Sequence, residues 1–453
     1  DWAATALNAA QPAEVTRALA SLPAAFRDQS GRAQRIAGEL ARRQQQYAEA
    51  CKFFEASIRL EQAQPFNEIP LGTVLLSSSD PAYRQRGLAL LGKWADQREE
   101  GGMMALRALV QDALTRQDLA ALREWTPRLR LHPRCTLGDM PLVLGALSRA
   151  LPENFENTLA DLLREGARNP ALATQVISWL NQVGQAPRAA AFGQSLAPEV
   201  RHRAPLAVVL AEALRQTADW PALAAHTASG EWGGDTDFLR WAYGYEAARQ
   251  LDQTAPARQF WQTLLAHARI HGPHALFAAD SLYVWGRVTE AVELLWLAAE
   301  EPHVGYLALG TLARHYQQQH DGDGQYRVFR QLHSLRPSEP DIANNYAYFA
   351  ALMGQDGAQV LALARTQHES HPAHPAYRAT YAFVLARQHR PTEALALLQP
   401  VRDELPRSEP LRFAYGIALA TAGKTAEARP YLETAAPELR CTAETALIAS
   451  LLK

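Results

Sequence analysis

Residues 341–372, 375–406 and 409–438 repeat one pattern. In the last two, Ala382 and Gly416, Leu385 and Leu419, Ala394 and Ala428, and Leu398 and Leu432 each stand 34 residues apart. A chain with that period has little choice of fold. One unit is too short to bury its own apolar face, so successive units must stack and share a core. A small residue in the first half, Ala in the second and Pro at the end describe a helix-turn-helix unit. The expected class is all-α, an α-solenoid of stacked antiparallel hairpins.

Stacking also removes the size problem. At 453 residues the chain exceeds one ordinary compact core, but a solenoid extends its core unit by unit. Hydrophobic residues at 48%, charged residues at 20% and a net charge of −2 indicate a globular chain. Basic and acidic residues are interspersed, which argues against a nucleic-acid partner, since phosphate binding needs a concentrated basic surface. Cys51, Cys135 and Cys441 are odd in number and far apart, so no disulfide framework or zinc ribbon is expected. No stretch approaches the roughly 20 apolar residues that cross a bilayer, so the visible chain is not expected to insert in a membrane. The chain opens at Asp1 without an initiator Met, from which a preceding signal peptide or membrane anchor is expected. Compartment stays open between export and cytoplasm.

Ala, Leu, Arg, Gln and Glu dominate the periodic segments, and Pro and Gly fall between them. At the N-terminal end, residues 36–41 are followed by Tyr47 to Cys51 and Phe54 in a hairpin spacing: Gly38 permits close approach, Ala50 marks the crossing, and Phe54 fills the space beyond it. After Pro65 the pattern loosens, with Pro70 and Gly101-Gly102 interrupting. Ser79-Asp80-Pro81 reads as a helix start, because Asp can cap and Pro suits the first turn. Helices are expected at 88–94, 104–116 and 119–131, then as pairs at 142–150 with 158–167 and 173–183 with 187–196. Beyond Pro205 the register is clearer: 206–216 with 221–227, 238–250 with 255–268, 274–283 with 288–299, and 305–318 with 324–335. Pro337 lies 35 residues before Pro372, implying one inserted residue near Asp356-Gly357. The organisation expected is an N-terminal set of degenerate hairpins over 1–204, with one clear repeat at 31–62, and a C-terminal array over 205–453. A hinge is expected at 230–235.

Tyr346-Ala347, Gly354 and Pro372, then Ala382, Leu385, Ala394, Leu398 and Pro406, then Gly416, Leu419, Gly423, Ala428 and Leu432 resemble the tetratricopeptide repeat family. Trp241, Ala257 and Trp261 match the same pattern, as do Gly38, Ala50 and Phe54. The resemblance is strong over 305–438, good over 31–62 and weak between 65 and 204. It implies a right-handed superhelix whose concave face, lined by first helices, binds peptides or partner domains.

The positions that the family turns into its groove map onto Arg314, Gln317, Gln318, Asn344, Asn345, Tyr348, Thr380, Phe383, Arg387, Phe413, Ile417 and Thr421. Aromatic anchors beside amide and guanidinium donors suit an extended peptide, whose backbone offers many hydrogen-bonding groups. The opposing reading is that Tyr348, Phe383 and Phe413 pack between repeats. Asn344-Asn345 is similar to amides that some peptide-binding members use, without the accompanying lysines of a carboxylate clamp.

His368, His371 and His374, and likewise His267, His271 and His274, have a spacing that could converge on a metal. Pro372 and Gly272-Pro273 break each set, so exposed turns and no metal are expected. Trp220, Trp232, Trp241, Trp261, Trp285 and Trp296 crowd one region and could form a sugar-stacking surface, although such residues more often pack. No Gly-rich phosphate loop, nucleophile elbow or metal-binding motif occurs, so neither catalysis nor a cofactor is expected. The function expected is a non-catalytic scaffold holding a protein or peptide in its groove. The alternatives are a sensing or regulatory module of a larger protein, and a saccharide-binding or processing component of an envelope assembly. The final helix, 443–452, is expected to pack on the preceding repeat and to offer a homodimer surface.

Overall fold

The computed structural model describes residues 12–228, 230–355, 357–433 and 440–453. No strand occurs among them, and the chain is 80% helical. The contacts divide it into two compact units, one through Thr236 and one from Asp237.

In the first unit, α1 (Pro12–Ala20) and α2 (Ala24–Gln29) precede the hairpin α3 (Gly31–Arg43) and α4 (Tyr47–Glu61). Then follow α5 (Pro65–Leu76), α6 (Pro81–Ala95), α7 (Glu100–Arg116), α8 (Leu119–Leu131), α9 (Met140–Ala150), α10 (Pro152–Gly166), α11 (Pro170–Gln182) and α12 (Ala186–Ser195). The short α13 (Pro198–Arg201) leads to α14 (Leu206–Gln216) and α15 (Trp220–Ala228). From α2 to α12 each helix packs on its successor, and the odd-numbered helices from α3 to α11 also pack on one another in turn. The weakly patterned middle is therefore hairpins throughout. The boundary expected at 204/205 falls later, because α14 packs on α11 and α12. The segment expected as a hinge is tied to this unit: Trp232 is 1% exposed, and its carbonyl accepts from the Ala204 amide at 2.9 Å.

In the second unit the hairpins are α16 (Asp237–Gln250) with α17 (Thr254–Ala268), α18 (Gly272–Val284) with α19 (Val288–Ala298), α20 (Gly305–Gln318) with α21 (Gly322–Leu335), α22 (Pro340–Leu352) with α23 (Ala358–Ser370), α24 (Pro375–Arg387) with α25 (Pro391–Leu398), and α26 (Glu409–Thr421) with α27 (Thr425–Leu432). A 3-10 segment, Gln399–Arg407, separates α25 from α26, and α28 (Thr442–Leu451) ends the chain. Asp356 and residues 434–439, the end of the third sequence repeat, lie outside the described residues.

The small residues of the repeat act as close-approach points. A Cβ on Gly38 would fall 2.9 Å from the Phe54 ring, and one on Gly416 would fall 2.6 Å from Leu432. These first helices thus use a missing side chain to admit a large one from the second helix.

The corner between the two helices is equally regular. An amide five positions on closes onto a helix carbonyl: Gln46 to Ala41, Asp118 to Ala113, Gln185 to Leu180, Asp219 to Leu214, Gln253 to Ala248, Arg287 to Leu282, Asp321 to Tyr316, Gln355 to Ala350, Arg390 to Leu385 and Lys424 to Leu419. The residue before each donor is left-handed, whether glycine (Gly184, Gly286, Gly354, Gly423) or not (Gln45, Gln117, Ala218, Asp252, His320, His389). From Leu180 to Ala350 these carbonyls recur every 34 residues, the step to Leu385 is 35, and the last step is again 34. The period read in the last repeats therefore extends back to Leu180, with the one-residue insertion where Pro337 and Pro372 put it.

Candidate functional site

The first helices α20, α22, α24 and α26 carry every groove position expected from the repeat. Seven of these residues line one cavity of about 630 Å³: Gln317, Asn344, Asn345, Tyr348, Thr380, Phe383 and Phe413. The other five do not line it. Arg314 and Gln318 are exposed on α20, Arg387 donates Nε to the Ala351 carbonyl at 3.1 Å, Ile417 is wholly buried in the core, and Thr421 donates to the Ile417 carbonyl at 2.8 Å.

The aromatics do two things at once. Tyr348 and Phe383 lie 5.1 Å apart and Phe383 and Phe413 5.6 Å apart, centroid to centroid. Phe383 is 1% exposed and Phe413 6%, so these rings belong to the core and form the cavity floor rather than projecting into solvent. Above them the polar inventory is incomplete. Asn344 spends Nδ2 on Asn345 Oδ1 at 3.3 Å, while its own Oδ1 is buried without a donor. Such a group costs about 1–3 kcal/mol when left unmet.

The remaining wall comes from the end of the chain. Helix α28 packs on α26, as expected, but also on α21 and α22, far back along the array. The Thr442 amide donates to the His320 carbonyl at 3.0 Å, at the α20–α21 corner. The Tyr348 hydroxyl donates to Glu444 Oε1, and Glu444 Oε2 caps α28 by accepting from the Cys441 amide at 2.8 Å. Burial and the Glu444 carboxylate hold the Tyr348 hydroxyl well above its ordinary pKa. The same two causes push the Cys441 thiol up to about 11, which leaves it protonated and unreactive at neutral pH. Leu447, Leu451 and Leu452 pack against the core of this unit.

Arg440, just before α28, is a lining residue that the sequence did not reveal. Its side chain is 10% exposed, its Nη1 donates to the Leu432 carbonyl at 2.5 Å, and its guanidinium lies 5.9 Å from the Phe413 centroid. Its Nε and Nη2 are buried without hydrogen-bond partners, as is Arg412 Nε. No local spacing signals a residue that reaches the cavity from outside the repeats. A capping pattern, Cys441 with Glu444, was the available sign of where the last helix begins.

The histidine sets depart from the expectation that their breaks would separate them. His267 Nε2 and His274 Nδ1 meet at 2.8 Å, the His271 ring lies 4.4 Å from His267, and Phe238 stacks on His274 at 4.4 Å. The hydrogen bond between the rings uses nitrogens a metal would need. His374 instead stacks on Tyr377 at 4.0 Å, and His368 on Tyr381 at 5.8 Å. Among the described residues no three His, Cys, Asp or Glu side chains are arranged to hold a metal. The tryptophans have separate partners: Trp232 meets His226, Trp241 His267, Trp261 Tyr245, Trp285 Tyr243 and Trp296 Tyr316. No helix among the described residues is long and apolar enough to cross a membrane.

No family model matches the chain, and no curated protein matches it. Among solved structures, one from the crystal structure of the APC/C hetero-tetramer Cut9–Hcn1 aligns over 100% of this chain and 95% of its own, at 12% identity and a TM-score of 0.28. Another, from Naa15/Naa10 bound to HypK-THB, aligns over 99% and 78%, at 12% identity and a TM-score of 0.33. At these scores the likeness carries no argument. The stacked helical hairpins are read from the packing and the corners of this chain itself.

Proposed function

We propose that the chain is a non-catalytic protein-interaction scaffold and that the cavity on α20, α22, α24 and α26 receives a peptide. The observation that carries the reading is the buried, unpaired Asn344 Oδ1 over a floor of three aromatic rings. A peptide amide supplies the missing donor, and an apolar side chain covers the rings. Gln317 and Asn345 offer further amide contacts from the rim.

The test is a displayed peptide library selected on the folded chain, followed by titration of the selected peptides against Gln317→Ala combined with Asn345→Ala. Neither residue is buried; Asn345→Ala also frees the Asn344 Nδ2 donor, so circular dichroism checks the fold and Gln317→Ala alone is titrated beside the pair. Affinity should fall by about tenfold or more if two hydrogen bonds are lost. Equal affinity for both chains rejects the site. A regulatory module is the second reading, favoured because α28 already occupies one side of the cavity, so ligand and helix contend for Tyr348. The homodimer expected through α28 is a separate proposal, which a monomer in light scattering at high concentration rejects.

A further inference from the structure

We infer that the connector between the two units is an acid-released joint, held at neutral pH by a stack of histidine and aromatic rings at each end and freed when those histidines take up protons. Each stack lies wholly within its own unit, and neither involves the cavity.

On the first side the anchor is Trp232, which is 1% exposed. Its ring lies 5.1 Å from that of His226, which lies 5.1 Å from that of His202. His226 Nε2 stands 3.0 Å from the Ala207 carbonyl of α14. A carbonyl only accepts, so the neutral ring holds its proton on Nε2, and a second proton would charge a ring that is 5% exposed. On the second side the anchor is Phe238, near the start of α16, 5% exposed and stacked on His274 at 4.4 Å. His274 Nδ1 meets His267 Nε2 at 2.8 Å, and the His271 ring lies 4.4 Å from one and 5.5 Å from the other. The Trp241 ring meets His267 edge-on at 5.2 Å. Between Trp232 and Phe238 lie only residues 233–237, opening with Gly233-Gly234, and the boundary between the units follows Thr236.

Both stacks need neutral rings. A bond between two imidazole nitrogens uses one hydrogen and one lone pair; when both rings are charged, each nitrogen carries a hydrogen and the bond turns into a repulsion. The surrounding charges do not offset this. At the first stack Arg201 opposes a further positive charge and Glu199 favours one at His202. At the second, Asp237 favours charge on His267 but accepts from Arg240 Nε at 2.9 Å, and the Glu301 side chain packs on Gly272 beside His271. Burial, joined by the neighbouring cations and rings, holds His202 and His267 below the ordinary imidazole value and His226 at about 4. A lowered folded value means that the stacks are complete above the unfolded value of 6.5 and are lost as pH falls towards 4. Once both anchors let go, the paired glycines give the connector the range of a hinge.

Hydrogen exchange of the full chain, read on peptides covering residues 230–240 and corrected for the intrinsic pH dependence of exchange, compares pH 7.5 with pH 4.5, while NMR of the imidazole rings follows their protonation. Connector protection should fall by about tenfold or more on acidification, at a pH where α11 of the first unit and α22 of the second remain protected. His226→Phe keeps a ring against Trp232 and cannot take a proton, so it should flatten the acid step at 230–233. That variant also removes the donor to the Ala207 carbonyl; His274→Phe, which keeps a ring on Phe238, therefore gives an independent reading at 237–240, and circular dichroism checks that each variant is folded. Trp232→Ala should free 230–233 already at pH 7.5 and show no further acid step. Connector amides that stay protected once the histidines are charged overturn the joint. So does a connector that opens only together with α11 and α22, and so does an acid step unchanged in both histidine variants.

Discussion

The Tyr348 hydroxyl donates to the Glu444 carboxylate, 96 residues downstream, and so fixes the terminal helix across the first helices of the second unit. Removing that hydroxyl leaves a partly buried carboxylate oxygen without its donor. Tyr348→Phe should cost about 1–3 kcal/mol at this contact. Hydrogen exchange should accelerate at α28 amides while those of α24 stay protected. Unchanged exchange at α28 would show that the contact does not hold the helix.

Alkaline pH should attack the same contact. Burial and then Glu444 raise the Tyr348 pKa well above the ordinary value of 10, and burial and then Glu290 raise that of Tyr245. A raised folded value favours the protonated form in the fold. The stability these groups contribute is complete below the unfolded value and is lost as pH climbs above it towards the folded one. Urea midpoints of the second unit should fall above pH 10, less steeply in Tyr245→Phe. A parallel decline in wild type and variant rejects the assignment.

Acid should instead weaken the first unit through His226. Burial lowers its pKa from 6.5 to about 4, against a hydrogen bond from its Nε2 side to the Ala207 carbonyl at 3.0 Å. The neutral ring is the form that fits, so stability is intact above the unfolded value and is lost as pH falls from about 6.5 to about 4. The loss should be on the order of 3 kcal/mol. Denaturant titration of His226→Leu at pH 7.5 and 4.5 measures it. The variant should begin less stable and lose less on acidification.

The hairpin corners make an opposed pair of predictions. Ala218 has φ 54° and Gly286 φ 78° with nothing within 4 Å of the Cβ position. Ala218→Gly relieves backbone strain and should stabilise by about 0.5–1 kcal/mol, whereas Gly286→Ala should destabilise by about 1 kcal/mol. Calorimetric transition temperatures should shift in opposite directions; shifts of one sign would show that the left-handed conformation is not what governs these positions.

The helices were legible because their signals are local. Asp80 accepts from the Ala82 amide at 2.8 Å, as the Ser79-Asp80-Pro81 pattern anticipates, and the Gly38, Ala50 and Phe54 spacing reproduces the packed crossing. In the degenerate middle the reading was partial: α5, which contains Pro70, was not anticipated, Gly101 and Gly102 lie inside α7 rather than interrupting it, and α6 and α10 begin seven and six residues before the expected starts. The groove was legible only in part. Helical spacing puts Phe383 on the first-helix face but cannot distinguish a core ring from a cavity floor, and this ring is both. Arg440 and α28 were not legible as parts of the site, because contacts across 96 and 122 residues leave no trace in local spacing. His267 and His274 meet across a helix break that sequence reasoning took as a separator, since a short turn can bring two rings together as readily as one helix face.

An array whose units touch mainly their neighbours ordinarily unzips from its last repeat, one hairpin after another. The bond from Thr442 to His320 alters that order. It ties α28 to the corner of the fourth hairpin back, closing this part of the chain into a loop. The terminal hairpins then cannot fray singly until the tie is released, and they open together as one cooperative block.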